Sequence, residues 1–306
     1  MTEPQILQSR LEFADSAPAD SRLAVWASMV RELTDVIPDP GRVELILTDQ
    51  YDRLAGHYHV QALHRSNPDM TAADYQAQRV DGARAAAITV ELPGNREVIV
   101  ASHRLLAMPR GALRHTLLHE GQHVRMIQHD DSAYAAHRRI DRFALPDDLT
   151  WEFLWMAESS IDEFRAERTI HENGWTFPGN LVTPAEFRLI GDAFGRAAVS
   201  FRRSGDTMAA YHQSMAALDR YAMFLAYAAA GVAAGTLDAR QWQQVPELTP
   251  LVELLRASPG TGVVVPMQDL LETAVAQARL LRAGYKKMGF DYRRLPDDQG
   301  TWLDVF

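Results

Sequence analysis

From about Gly111 to the C-terminus the apolar residues return every three or four positions, and that period commits most of the chain to α-helix. Residues 111–128 and 131–142 read as helices, and 150–172 as a third that stops at Asn173-Gly174, a pair suited to a helix end. Pro184 opens the next helix at its first turn, and an alanine-rich helix covers 206–235. Two more follow Pro246, near 248–255 and 267–286. Ahead of Gly111 the pattern is mixed. Residues 21–36 form a helix carrying Leu23, Val25, Trp26, Met29, Val30 and Leu33, stopped by Pro38 and Pro40. Residues 42–48 (RVELILT) read as a strand, and the β-rich runs 87–92 and 97–101 are joined by Pro93-Gly94-Asn95 into a hairpin. The stretch 49–81 is polar, with a turn signal at Asn67-Pro68. Strands confined to the first third and helices thereafter give an α+β class: a small β-sheet or hairpin, then a mostly helical domain with a helical C-terminal part.

Charge and composition narrow what such a fold does. With a net charge of −9, the chain has no general basic footprint for displacing counterions, which argues against general nucleic-acid binding while leaving room for a local basic cleft; no nucleic-acid partner is expected. Cysteine is absent, so a metal site must use imidazoles and carboxylates. The first residues carry no apolar segment of the secretory kind, and the uncharged run 222–235 is shorter than the roughly 20 residues that span a bilayer. A cytoplasmic protein without membrane association is expected.

The chemistry concentrates at His119-Glu120-Gly121-Gln122-His123. Residues four apart on a helix lie about one turn apart on one face, so the two imidazoles can chelate one Zn²⁺ at about 2.0–2.1 Å. Glu120 sits on a neighbouring face, placed to take a proton from water. A helical wheel sets Leu113, Leu117 and Val124 on a buried stripe, His115, Gln122 and Arg125 on a polar face, and Thr116, His119, His123 and Met126 between them. Gly121, unfavourable in a helix interior, points to close approach of a neighbouring backbone.

A zinc site that activates water needs a third protein ligand. His129 is one candidate: HEGQHVRMIQH is similar to the HExxHxxGxxH pattern of metzincins, but Met126 stands where that family has glycine, which favours continuing the helix. The nearest segment to a Met-turn is Asp206-Thr207-Met208, and it is not a convincing one. Glu163 is the other candidate. Glu163-Phe164-Arg165-Ala166-Glu167 resembles the ExxAD segment of gluzincins and minigluzincins, whose first carboxylate ligates zinc and whose second acid supports the site; here Glu167 replaces the usual Asp. Glu158, with Asp162, spells a rival pair on a face shared with Arg165 and Thr169 that reads as solvated, whereas Glu163 shares its face with Met156, Ser160, Glu167 and Ile170. Glu163 is preferred.

The resemblance to zincins spans about 90 residues up to Gly174 and implies a domain at 41–175, flanked by a helical extension at 1–40 and a helical subdomain at 176–306. It also implies a zinc-dependent hydrolase of the peptidase kind, with His119, His123 and Glu163 on Zn²⁺, Glu120 as general base, and a peptide or protein as substrate. The alternatives are a zincin-fold binding or regulatory protein without hydrolysis and a metal-free helical interaction protein. Tyr211, His212 and Tyr221 are candidate oxyanion stabilisers that core packing explains equally well. His57, His59 and His64, like the basic cluster Lys286-Lys287 with Arg293-Arg294, read as solvated surface.

Overall fold

Along strand β2 (Val43–Thr48), Val43, Leu45 and Leu47 alternate with Glu44 and Ile46, so each face carries apolar side chains that need a cover. The computed structural model, which describes residues 7–14, 18–63, 86–295 and 300–306, supplies those covers within the first of two units, 1–130 with 173–180. The described chain is α+β and mostly helical.

In this first unit the sheet order is β1 (Gln8–Glu12), β2, β4 (Arg96–Ser102), β3 (Ala87–Leu92); β1 and β4 run parallel to β2, and β3 runs antiparallel to β4. Leu45, Leu47, Ile99 and Ala101 pack on Trp26, Met29 and Leu33 of helix α1 (Asp20–Val36) and on Leu113, Leu117 and Val124 of helix α3 (Arg110–Gln128). Ile46, Val90, Val98 and Val100 face Tyr51, Leu54 and Ala55 of helix α2 (Tyr51–Leu63). The β3–β4 turn uses Gly94 at φ +86° and Asn95 at φ +56°, two residue types that accept left-handed backbone, as the hairpin expectation required. Strand β1 and helix α2 were not anticipated, because the first has few apolar residues and the second lies in the polar stretch; Asn67-Pro68 falls outside the described residues.

Helix α3 is clamped along its length. A Cβ on Gly121 would lie 2.6 Å from Leu33 Cδ1 and 3.2 Å from Val36 Cγ2, so side chains of α1, rather than a backbone, require the glycine. The expected polar face is also revised. Gln122 is fully buried, its Nε2 donating to the Leu118 carbonyl at 3.2 Å, and His115 is buried as well. At the far end, Gln128 donates to Glu97 Oε2 at 3.0 Å while Arg42 donates to Oε1 at 2.5 Å. Glu97 is wholly buried, and desolvation still holds its carboxyl above the usual range.

The second unit, 131–172 with 181–306, is built on α4 (Trp151–Glu172), α5 (Pro184–Ser204), α6 (Thr207–Ala233), α7 (Leu248–Leu255) and α8 (Met267–Lys287). Pro184 stands in the first turn of α5, behind a capping box between Thr183 and Glu186. Phe153, Phe194, Tyr285 and Phe290 interlock in its core. Contrary to the confinement of strands to the first third, a hairpin of β5 (Phe290–Arg294) and β6 (Thr301–Val305) ends the chain. No helix among the described residues is long and apolar enough to cross a membrane.

The helix expected at 131–142 is replaced by a loop with one 3₁₀ turn, Ala136–Arg138, and left-handed backbone at Ala135 and Arg142. The reason is competition for its amides. Asp162 accepts from the backbone N–H groups of Ala133 at 2.7 Å and Tyr134 at 3.2 Å and from Ser132 Oγ, and Glu158 accepts from the N–H of His137 at 2.8 Å. Arg165 donates to the Asp131 carboxylate at 2.7 Å and to its carbonyl at 2.6 Å. The face bearing Glu158, Asp162, Arg165 and Thr169 is therefore buried, not solvated. Asp131→Ala would strand a fully buried guanidinium, and urea unfolding should show the second unit weakened by about 3–5 kcal/mol.

Candidate metal centre

Helix geometry brings His119 and His123 together from local sequence alone. Their Nε2 atoms lie 3.1 Å apart, with the rings edge to face at 68° and centroids 4.9 Å apart. Two ligands of one tetrahedral zinc at about 2.0–2.1 Å are separated by about 3.3 Å, so the pair already has the spacing of a shared ion. His119 is buried, which keeps water from competing for its nitrogen, and His123 is half-buried.

The third ligand preferred from the sequence, Glu163, lies on helix α4 of the second unit, and the histidine pair lies on helix α3 of the first. Two neutral-capable imidazoles and one carboxylate are a donor set that suits zinc. The half-buried Glu163 accepts a hydrogen bond on Oε2 from the hydroxyl of Tyr227 at 2.8 Å. Tyr227 was not singled out in the sequence; a tyrosine in an alanine-rich helix carries no motif.

The rival ligands are placed elsewhere. Both oxygens of Glu158 lie 2.9 Å from His137 Nδ1, which donates to them, and Glu158 is fully buried in the second unit. Desolvation raises its carboxyl above the ordinary range despite these bonds. His129 is the C-cap of α3, which runs on through a buried Met126 without the break that would turn a last histidine back. Glu167 is buried with its Oε1 3.5 Å from His171 Nε2, and His171 Nδ1 lies 2.6 Å from Thr236 Oγ1.

Glu120 is buried, and its Oε2 accepts a hydrogen bond at 2.8 Å from Thr89 Oγ1 on β3. That contact, also unforeseen in sequence, ties the carboxylate to β3. His115, one further turn along α3, is occupied by structure: its Nδ1 accepts the backbone N–H of Phe177 at 3.2 Å, which assigns the ring proton to the other nitrogen.

The candidate oxyanion groups are engaged within the second unit. Tyr221 donates to Glu247 at 2.6 Å and Tyr211 to Glu152 at 3.2 Å, burial raising both phenols well above their usual range, and His212 stacks edge-on against Tyr211. His57 is exposed with Nε2 2.9 Å from Gln61, and His64 lies outside the described residues. In the C-terminal basic cluster, Lys286 and Arg293 pair with Asp291, and Lys287 pairs with Glu247. No family model, no curated protein and no solved structure matches this chain.

These placements separate the two carboxylates by experiment. Elemental analysis of the purified protein should find about one zinc per chain, most of it lost in Glu163→Gln and kept in Glu158→Gln. Equal retention in both variants would reject Glu163 as a ligand.

Proposed function

We propose that this protein is a zinc-dependent hydrolase that cleaves peptide bonds. The observation that carries the proposal is the histidine pair of α3, the Nε2 atoms of His119 and His123 3.1 Å apart, with a buried glutamate, Glu120, adjoining the first in sequence; Glu163 is assigned as the third ligand on its resemblance to the zincin segment. When bound, zinc supplies a lowered water pKa, about 7, and polarisation of the scissile carbonyl.

The chain's own groups supply the rest. Glu120 is the general base: its carboxylate accepts a proton from the attacking water and delivers it to the departing amine. Thr89 holds that carboxylate by its hydroxyl, limiting the rotamers through which the base must search. Thr89 belongs to β3, which lies at the edge of its sheet among the described residues. An edge strand offers unpaired backbone groups to an extended peptide, which favours a polypeptide substrate over a compact small molecule. The resemblance of HEGQH and of Glu163–Glu167 to zincin motifs supports the same assignment, and the lack of cysteine leaves this His and Glu set as the available donor chemistry.

Hydrolysis of a fluorogenic peptide library by the zinc-loaded protein tests the proposal. Glu120→Gln should retain zinc and lose about 10²–10⁴-fold in rate, the range general-base catalysis contributes. Retained zinc with no peptide hydrolysis by the unaltered protein would favour a binding role instead, and hydrolysis undiminished in the variant would reject Glu120 as the base.

A further inference from the structure

We infer that Tyr227 is the positioning residue of the zinc centre: by donating to Oε2 of Glu163 it commits that carboxylate to hold the ion through a single oxygen. The inference rests on the assignment of His119, His123 and Glu163 as zinc ligands.

A carboxylate can bind a metal through one oxygen or two. A second oxygen would take the position that a water-activating zinc site keeps open. The phenol carries one hydrogen, and here it is spent on Oε2 at 2.8 Å. That bond draws electron density at Oε2 toward the phenol and fixes the plane of the carboxylate, leaving Oε1 as the stronger ligand atom. Hydrogen bonds to ligating groups from outside the coordination sphere orient them and tune their affinity in this manner.

The helix pair explains why a tyrosine reaches this carboxylate. Helices α4 and α6 pack closely in the second unit, with Ala226, Ala229 and Ala230 on α6 fully buried. Small side chains let the backbones approach, and a long, rigid phenol one residue from Ala226 then spans to α4.

Helix α6 carries its own comparison. Tyr221 makes the same kind of bond, to Glu247 at 2.6 Å, but Glu247 belongs to no metal-ligating group among the described residues. Tyr221 ties helices together; Tyr227 ties down a ligand. A merely structural role for both would make their phenylalanine variants behave alike.

The test compares the unaltered protein with Tyr227→Phe and Tyr221→Phe. Zinc affinity is measured by competition with a chromophoric chelator, and coordination by the visible absorption of the Co²⁺-substituted proteins. Circular dichroism and melting of the metal-free forms register any loss of fold separately. Tyr227→Phe should weaken zinc by about 10–100-fold, and its cobalt bands should lose intensity as the carboxylate turns to two-oxygen, five-coordinate binding. Tyr221→Phe should melt lower yet keep zinc affinity within about twofold and the cobalt spectrum unchanged. A Tyr227→Phe protein with the unaltered affinity and spectrum overturns the role of Tyr227 while the zinc site stands. Failure of the unaltered protein to take up one equivalent of zinc or cobalt overturns the zinc site, and this inference with it.

Discussion

A charged side chain withdrawn from water must find a partner, and helix α4 withdraws Glu158, Asp162 and Arg165 along one face. Each is answered within the second unit: Glu158 by His137, Asp162 by three donors at Ser132, Ala133 and Tyr134, and Arg165 by Asp131 with the carbonyls of Pro259 and Val263. Rotating the helix by one residue would strand all of these groups at once. The polar face therefore sets the rotation of α4 about its axis, and Glu163, on the adjoining line of the helix, is aimed by that rotation.

The histidine helix is fixed by a different balance. Helix α3 is held by apolar contact along Leu113, Leu117 and Val124, by the fit of Gly121 against Leu33, and by the buried Glu97 that grips Gln128 at its end. Glycine costs about 1 kcal/mol in a helix interior, but any larger residue here would meet α1. Packing thus governs the residue between Glu120 and Gln122, and the chemistry of the motif governs its neighbours.

Around these two helices, single hydrogen bonds do the fine alignment. Thr89 on Glu120 and Tyr227 on Glu163 each place one neutral donor on one carboxylate oxygen. A neutral donor orients a carboxylate without cancelling its charge, which the base and the ligand proposed above both need. At Glu97 and Asp131, by contrast, a cation, Arg42 or Arg165, shares in the pairing.

Much of this was legible in the chain itself, for local reasons. The four-residue interval between His119 and His123 puts both imidazoles on one helix face a turn apart, in reach of one another, and the periodicity of the apolar residues marks the long helices and the Gly94-Asn95 hairpin. Other features depend on groups far apart in sequence, and no local pattern reports them. The segment after α3 looks helical until carboxylates 21 to 29 residues away take its amides. Glu158 looks solvated until His137 covers it, and Tyr227 looks like any core aromatic until α4 stands beside it, 64 residues back along the chain. The chain by itself determined the donor types, the paired histidines and the glutamate next to them, because a helix turns by a constant angle. Only the tertiary structure decided which glutamate is held by a phenol and which by an imidazole, because burial and pairing are settled when distant helices meet.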